Sequence, residues 1–373
     1  MKVGFIVDHL DGKLSGIGYY CKSLSTSKEF NNKNNEIILI HSDKINNTSK
    51  LNNIIIPKYK IFLYNTFRKF VFMPFYLKKY NFDLVHDSYI FGPFLFKTKY
   101  KKIVTIYDMT PLVVKDKQEF SRKIKYYILK YFVKRVNRII TCSENSKQDI
   151  INFFKVSPDK VSVIYLASNK EYGQLTKKET NSKLIKYNLV NKKYIFYVGN
   201  LEKHKNVEGL IESFNLISKK NKDLILVLGG KKGWGYEDIN KKIIELDLSD
   251  KIIFTGYVDE KDLPALYNGA SLFVYPSYYE GFGLPPLEAM SCGCPVITSN
   301  TSSLPEVVGD AGIMVDPNNV DELAKQMERV LTDEKLRKEM IKKGLKQAKK
   351  FSWEKCARET LKVYEEVIKE NKK

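Results

Sequence analysis

The residues with the clearest chemistry lie in a glycine-containing segment that carries a glutamate at each end, Glu280–Glu288. The apolar run before it, Ser271–Tyr275, is typical of a buried strand, and residues 285–293 have the pattern of a short helix stopped by a glycine. Backbone N–H groups and the positive end of a helix dipole converge at such a junction and bind anions. Carboxylates repel phosphate but accept hydrogen bonds from hydroxyl groups, so we expect a ligand with both parts, such as a nucleotide sugar. Glu288 is expected in the first turn of the helix, where the dipole also stabilises a carboxylate.

The elements that position this segment follow from an alternation of short apolar runs and amphipathic stretches over all 373 residues. Alternation of this kind predicts parallel sheets covered on both faces by helices. The predicted strands are Lys2–Val7, Glu36–His41, Leu84–His86, Ile103–Ile106, Arg138–Cys142, Val161–Ile164, Lys193–Val198, Leu224–Leu228, Lys251–Phe254, Leu272–Tyr275 and Val296–Thr298. The predicted helices are Gly16–Leu24, 65–80, 121–137, 144–154, Asn206–Ser218, Tyr236–Leu246, Asp259–Asn268, Asn319–Leu331, Asp333–Lys350 and Trp353–Lys369.

The alternation occurs twice, which predicts an α/β protein of two Rossmann-like, doubly wound domains that face a cleft. Residues 166–192 are polar and lack clear periodicity, so we place the domain boundary there. The predicted division is 1–175, 176–352 and a last helix in 353–373. The chain has no G-x-G-x-x-G and no G-x4-G-K-[S/T] motif, which argues against nicotinamide and P-loop nucleotide sites.

Composition indicates an ordinary globular protein, with 43% hydrophobic and 28% charged residues. No apolar run approaches the length of a membrane span, and Met1–Asp8 is too short and too soon charged for a signal peptide, so we expect a cytoplasmic protein. The five cysteines are scattered, which favours reduced thiols. Cys292 and Cys294 lack a second pair of ligands, so no metal site is predicted.

A formal net charge of +20 fits a nucleic acid, an anionic membrane or a phosphorylated ligand as partner, and equally a lysine-rich solvated surface. No acid stands between Asp43 and Asp83, and region 58–80 is basic and aromatic. Its residues include Phe67, Arg68, Lys69, Phe70, Phe72, Phe75, Tyr76, Lys78 and Lys79. We expect this region to contact an anionic membrane surface. The alternative is a core helix with one solvated face; no nucleic-acid partner is expected.

The run from Phe254 to Pro317 (FTGYVDEKDL…EGFGLPPLEAM…GIMVDP) resembles the retaining glycosyltransferases of family 4, which have the GT-B fold. YVGNLEKHKN, residues 197–206, is similar to that family's phosphate-binding turn, and LGGKKGWGYE, DLVHDS, TIYDMTPL, RIITCSENS and DKVSVIY resemble further landmarks. The terminal FSWEK is similar to the family's last helix, which crosses back to the first domain. The resemblance covers almost the whole chain.

The resemblance implies a role for each matching residue. Glu280 would hold hydroxyl groups of the donor sugar, Glu288 those of the ribose, and Lys205 would neutralise the departing diphosphate. From the residues alone, Lys205 would equally be a surface lysine. The implied catalytic residues are Glu280, Lys205 and the acceptor-side Asp108. The implied donor-binding residues are Gly16, Gly18, Asn200, Tyr257, Val258, Gly281, Phe282, Gly283, Leu284 and Glu288.

The first domain departs more from the family's pattern than the second. Tyr107 precedes Asp108 where a histidine is frequent, and Tyr19 follows Gly18 where arginine is common. Asn200 stands where many members carry arginine. The divergence of the first domain suits a changed acceptor.

The function that the resemblance implies is transfer of a hexose, with retention, from a nucleoside-diphosphate sugar to a glycan or lipid-linked acceptor. No metal and no cofactor is expected, since lysine and backbone donors can stabilise the leaving group. Mannose from GDP-mannose is the first expectation, and UDP-glucose, UDP-N-acetylglucosamine and dTDP-rhamnose stay open. The expected place is the cytoplasm, including contact with the inner face of the membrane. The alternatives are a nucleotide-sugar epimerase of similar fold and a non-catalytic carbohydrate- or nucleotide-binding module.

Overall fold

The structure, a computed structural model, describes residues 1–10, 16–32, 35–42, 50–59, 67–89, 96–114 and 120–370, apart from the side chains of 120–125 and 128. The chain forms two compact units. The first consists of Met1–Leu166 and Ser352–Lys373, and the second of Ala167–Phe351.

The first unit is built on a parallel sheet of seven strands in the order β3-β2-β1-β4-β5-β6-β7. The strands are β1 Lys2–Ile6, β2 Glu36–His41, β3 Asn52–Ile55, β4 Leu84–Asp87, β5 Lys101–Thr105, β6 Arg138–Thr141 and β7 Val161–Val163. The helices are Gly16–Thr26, Met73–Tyr76, Thr110–Val113, Phe120–Val133, Glu144–Phe154 and Trp353–Lys369. A π-helical turn, Arg68–Phe72, and a 3-10 turn, Leu77–Tyr80, extend the helix at Met73 on its two sides.

The strand order of the first unit reverses between β1 and β4, and a buried ionic network lies at this point. Asp8 follows β1, and its two carboxylate oxygens accept hydrogen bonds from the fully buried Arg68 at 2.8 and 3.0 Å. Arg68 Nε also donates to the carbonyl of Ile56 at 2.7 Å. Lys69 Nζ lies 3.7 Å from Asp8 and 3.6 Å from Asp87, at the end of β4. These bonds hold the segment that begins at Arg68 against the sheet.

The last helix, Trp353–Lys369, packs within the first unit. The Tyr364 hydroxyl lies 2.6 Å from His86 Nδ1, and His86 Nε2 lies 2.8 Å from the Thr105 hydroxyl. Burial lowers the pKa of His86 to about 3, so this imidazole is neutral at physiological pH. His86 is therefore a buried, hydrogen-bonded core residue.

The second unit is built on a parallel sheet of six strands in the order β10-β9-β8-β11-β12-β13. The strands are β8 Lys193–Val198, β9 Leu224–Gly229, β10 Ile252–Gly256, β11 Leu272–Tyr275, β12 Val296–Ser299 and β13 Ile313–Val315. The helices are Lys177–Leu184, Val207–Ser218, Tyr236–Glu245, Leu263–Gly269, Leu284–Ser291, Leu304–Val308, Val320–Thr332 and Glu334–Ala348. The central strands are buried on both faces, which is why they read as continuous apolar runs.

Polar side chains fix where several helices of both units begin. Each accepts a hydrogen bond from a backbone N–H in the first turn, which has no partner within the helix. These N-cap residues are Ser143, Thr176, Asn319, Asp333 and Ser352.

The structure confirms the predicted fold class and corrects particular elements. The strand Asn52–Ile55 was not predicted, because three of its four residues are exposed at a sheet edge and give no apolar run. The strand Ile313–Val315 was missed because it has only three residues. Within residues 166–192, where no helix was predicted, Thr176 and Glu179 form a capping box for the helix Lys177–Leu184.

Two helix boundaries also differ from the prediction by several residues. The helix expected over 121–137 ends at Val133, and the helix expected from Asp259 begins at Leu263 after a turn. The described residues do not include 60–66. This gap contains part of region 58–80 and the first two residues of the helix expected over 65–80. Within the described part of the chain, every helix is too short or too polar to cross a bilayer.

Candidate active site

Two charged residues meet at the carboxyl edge of the second sheet, where its strand order reverses. The chain runs outward from β8 to β9 and β10, and then returns to place β11 on the other side of β8. Ligands of open α/β sheets bind at such a switch point. Lys205 lies in the 3-10 turn after β8, and Glu280 lies in the loop after β11. Lys205 Nζ donates to the two carboxylate oxygens of Glu280 at 2.7 and 2.9 Å.

This ion pair is largely shielded from water, with exposed side-chain fractions of 15% for Lys205 and 12% for Glu280. Burial alone would raise the pKa of the Glu280 carboxyl, but the charge and hydrogen bonds of Lys205 outweigh it, and the pKa is lowered. Burial opposes the charged form of Lys205 as well, yet the charge of Glu280 leaves the pKa of that amine raised. Both groups are therefore ionised at neutral pH.

Two buried tyrosines form a floor beneath the ammonium group. Lys205 Nζ donates to the Tyr275 hydroxyl at 3.3 Å and lies 5.7 Å from the centre of that ring. The Tyr197 ring stacks on Tyr275 at a centroid distance of 5.7 Å and an angle of 18°. Rings that are packed at the ends of β8 and β11 restrict where the Lys205 ammonium can lie.

Serine hydroxyls after β12 hold the backbone of the glycine loop. Glu280 N–H donates to Ser302 Oγ at 2.8 Å, and the same hydroxyl donates to the Glu280 carbonyl at 2.9 Å. Ser303 Oγ donates to the carbonyls of Glu280 and Phe282 at 2.9 and 2.7 Å. Gly283 has φ of +116°, and a Cβ there would lie 2.8 Å from Leu304 Cδ2, so this position requires glycine.

Glu288 lies in the second turn of the helix Leu284–Ser291, and not in the first turn that the sequence predicted. The Tyr267 hydroxyl donates to Glu288 Oε2 at 3.0 Å. Burial raises the pKa of Glu288 to about 7; the Tyr267 hydrogen bond opposes this shift, and the charge of Glu260 adds to it. Because the first turn lies between Glu288 and the helix end, the dipole gives the carboxylate little help.

The remaining predicted donor residues of this unit differ in exposure. Tyr257, after β10, is 53% exposed, and Lys231 Nζ lies 5.1 Å from its ring centre. Val258, the next residue, is buried. Asn200 is exposed and donates through Nδ2 to Glu202 Oε1 at 3.3 Å. Phe282 is buried against Phe351, so it serves the loop as a packing residue as well.

The predicted residues of the first unit lie at the carboxyl side of its own sheet. Gly16 and Gly18 stand in the first turn of the helix Gly16–Thr26. Asp108 Oδ1 accepts a hydrogen bond from Thr110 N–H at 2.8 Å, at the start of the short helix Thr110–Val113. Tyr107 donates its hydroxyl proton to the Ser88 carbonyl at 3.0 Å, so its phenol is bonded within the unit.

The structure thus brings Lys205, Glu280 and the glycine loop together in the second unit. Sequence reasoning missed the residues that hold these groups, which are Tyr197, Tyr275, Ser302 and Ser303, and missed Tyr267, which bonds Glu288. Tyr197 and Tyr275 carried a signal, since both stand at or near the carboxyl end of a predicted central strand. Among the described residues, no group of three or more histidine, cysteine, aspartate or glutamate side chains is placed to hold a metal ion.

Comparison with known proteins identifies the family to which this two-unit fold belongs. The family model described as glycosyl transferases group 1 matches residues 180–347, and the model described as Glycosyltransferase Family 4 matches residues 24–170. An uncharacterized glycosyltransferase of Methanocaldococcus jannaschii is 30% identical over 293 residues, which are 76% of this chain and 76% of that protein. The chain belongs to these glycosyltransferases, and its two Rossmann-like units are those of the GT-B fold.

Two further similarities concern a mannosyltransferase sequence and a solved structure. O-antigen chain mannosyltransferase B of Escherichia coli is 42% identical over 228 residues, which are 61% of this chain; the match spans 60% of that relative's length. The crystal structure of Anabaena HepE in complex with UDP-glucose superimposes with a TM-score of 0.78 and 16% identity, covering 98% of this chain and 100% of that one. The latter similarity concerns the fold alone.

Proposed function

We propose that this protein transfers a hexose, with retention of anomeric configuration and without a metal, from a nucleoside-diphosphate sugar to a glycan or lipid-linked acceptor. The observation that carries the proposal is the buried Lys205–Glu280 pair at the switch point of the second sheet. The name of the mannosyltransferase relative supports mannose, with GDP-mannose as donor. The UDP-glucose complex of HepE supports a nucleotide sugar as the class of donor.

On donor binding, Lys205 and Glu280 separate, and each binds a different part of the donor. The diphosphate takes the place of the Glu280 carboxylate beside Lys205 Nζ, and Glu280 accepts hydrogen bonds from hydroxyl groups of the sugar. Glu288, oriented by Tyr267, accepts hydrogen bonds from the ribose hydroxyls. The backbone of Gly281–Leu284 leads into a helix N-terminus, which favours the diphosphate.

In the reaction, the bond between the anomeric carbon and the diphosphate oxygen breaks, and a bond from the acceptor oxygen to that carbon forms. The acceptor proton passes to the departing phosphate oxygen, on the face from which the acceptor attacks. Negative charge therefore grows on the diphosphate in the transition state, where the fixed Lys205 ammonium stabilises it most. Retention by this route needs no side-chain nucleophile, and Asp108 is assigned to the acceptor side.

A panel of nucleotide sugars tests the donor. A donor at 100 times its dissociation constant stabilises the protein by about 2.7 kcal/mol. We expect GDP-mannose to raise the melting temperature more than UDP-glucose, UDP-N-acetylglucosamine or dTDP-rhamnose. If none of the four raises it, the donor assignment is wrong.

Turnover separates this proposal from the alternatives. With donor and acceptor in the presence of EDTA, we expect release of nucleoside diphosphate and a product whose anomeric configuration, measured by NMR, equals that of the donor. An epimeric nucleotide sugar that accumulates from donor alone would instead show an epimerase. Binding that survives Glu280→Ala without any nucleotide release would show a binding module.

We further propose that the first unit contacts the cytoplasmic face of an anionic membrane through the described part of region 58–80. Phe67, Phe72 and Phe75 are 52%, 42% and 52% exposed. Lys78 Nζ lies 4.6 Å from the Phe75 ring, and Lys79 Nζ lies 3.8 Å from the Tyr76 ring. Exposed rings interleaved with ammonium groups suit the boundary between acyl chains and anionic headgroups.

Co-sedimentation with vesicles tests the membrane contact. We expect binding to phosphatidylglycerol vesicles, weak binding to phosphatidylcholine vesicles, and about tenfold weaker partition for Phe72→Ser/Phe75→Ser. Leu216→Ser, which removes an exposed apolar side chain of the second unit, is the matched control. Equal partition of both variants and the wild type would contradict the proposal.

A further inference from the structure

A surface cavity of about 480 Å³ lies at the carboxyl edge of the second sheet, after β9. Its volume falls in the range of small-molecule sites. The lining residues are Lys203, Lys232, Gly233, Trp234, Gly235, Tyr236, Glu237 and Asp238. The functions proposed above use none of them.

Backbone hydrogen bonds join the loop that lines the cavity to the segment that leads into the turn with Lys205. Gly233 N–H donates to the Leu201 carbonyl at 3.2 Å, and Leu201 N–H donates to the Lys231 carbonyl at 2.9 Å. A Cβ at Gly233 would collide with Glu202, and a Cβ at Gly235, which has φ of +90°, would collide with Lys203. Two glycines therefore let the Trp234 loop press onto this turn.

One 3-10 turn, Lys203–Lys205, serves both sites. Lys203 lines the cavity, and Lys205, two residues later, pairs with Glu280. A ligand in the cavity thus lies against the same turn that positions the donor-site cation.

The lining combines an aromatic surface with balanced charges. Lys203 Nζ lies 5.1 Å from the Trp234 ring centre and 2.7 Å from Asp238 Oδ2. Lys232 Nζ lies 4.4 Å from the Tyr236 ring centre. With Glu237 the cavity has two ammonium groups and two carboxylates, so its lining has no net charge.

We propose that this cavity binds a hexopyranose residue of the acceptor glycan. The apolar face of a pyranose ring packs on the indole, while its hydroxyl groups donate to Asp238 and Glu237 and accept from the lysines. A phosphorylated ligand is disfavoured because the carboxylates cancel the attraction of the ammonium groups. The inference rests on the proposed function for the identity of the glycan, but binding at the cavity is measured separately from turnover.

Tryptophan emission locates the binding, because the chain has two tryptophans and Trp353 is buried in the first unit. We expect α-linked mannotriose, without donor, to cause a saturable change in emission of the wild type that is absent in Trp234→Phe. No saturable change in the wild type, or a change that persists in Trp234→Phe, would overturn the proposal. So would a change caused by GDP and not by mannotriose, since it would show a nucleotide site.

Calorimetry measures the affinity. We expect Trp234→Ala to bind mannotriose about tenfold more weakly than the wild type. Ile244→Ala, an exposed change on the helix Tyr236–Glu245 that does not line the cavity, should bind like the wild type. If Trp234→Ala melts early, Lys232→Ala and Glu237→Gln carry the same test, because both positions are exposed. Unchanged affinity in these variants refutes the site.

Kinetics separate this inference from the proposed function. We expect Trp234→Ala to raise the KM for acceptor about tenfold, with the thermal shift by donor unchanged. If no donor raises the melting temperature of the wild type, the donor assignment alone is wrong. A rise in the KM for donor, with the acceptor KM unchanged, would count against the glycan subsite alone.

Discussion

Replacing Lys205 by methionine separates the structural from the catalytic part of its role. The variant keeps most of the side-chain volume but leaves the Glu280 carboxylate, 12% exposed, without its cation. Removing one partner of a buried ion pair costs about 3–5 kcal/mol. Since both groups keep some exposure, we expect a loss of about 3 kcal/mol at pH 7. For a unit of this size that loss lowers the melting temperature by about 6–12 °C.

The dependence of this loss on pH follows from the pKa shifts. The lowered pKa of Glu280 contributes stability that is present above its unfolded value of 4.5 and is lost as pH falls through the folded value. The raised pKa of Lys205 contributes stability that is present below 10.5 and is lost as pH rises through the folded value. In Lys205→Met the isolated carboxyl takes up a proton more readily. The difference from the wild type should therefore shrink as pH falls from 7 toward 4.5.

The double variant Lys205→Met/Glu280→Gln provides the matched control. It removes both charges, so we expect its melting temperature to return to within about 3 °C of the wild type. Its kcat for nucleotide release should stay at least about 100-fold low, because no cation stabilises the departing diphosphate. A single variant that melts like the wild type would refute the ion pair. Recovery of activity in the double variant would refute the role of the charge.

Three further changes test other parts of the structure. Tyr275→Phe removes the hydroxyl that receives a bond from Lys205 Nζ and should lower kcat about tenfold with little change in donor KM; an unchanged kcat contradicts its positioning role. The pKa of Glu288 is raised to about 7, so we expect the affinity for the donor to rise between pH 6 and 8 as the carboxylate forms. Glu288→Gln should abolish this rise. If the rise persists in the variant, the titrating group is another residue. Arg68→Met leaves the buried Asp8 with Lys69, 3.7 Å away, as its remaining cation, and should lower the free energy of unfolding by about 3 kcal/mol, measured by urea titration. Asp8→Leu/Arg68→Met should recover most of this loss.

Much of the fold was predictable because the central strands of parallel sheets are apolar on both faces. Lys193–Val198 and Leu272–Tyr275 have the predicted bounds. The edge strand Asn52–Ile55 has no continuous apolar run, because it pairs with β2 on one side only and most of its residues are exposed. Helix ends were less exact, because polar caps and turns decide them one residue at a time.

The members of the candidate site could be proposed from the sequence, but not the contact between Lys205 and Glu280. The family resemblance implied Lys205 for the diphosphate and Glu280 for the sugar of one donor, but it did not predict a direct ion pair between them. The two residues lie 75 positions apart and meet because β8 and β11 are neighbours in the sheet. Strand order depends on the whole unit, so no local pattern encodes it. The stacking of Tyr197 on Tyr275 was missed for the same reason, although each stands at or near the end of a predicted strand.

The first unit takes its last helix, Trp353–Lys369, from the far end of the chain. A ribosome therefore delivers all of Ala167–Phe351 before it delivers the partner of His86, the Tyr364 hydroxyl. At that point the named strands of both units have been synthesised, while the core of the first unit still lacks the helix Trp353–Lys369. The helix Trp353–Lys369 can therefore pack into the first unit only after every named strand of the second unit has been synthesised.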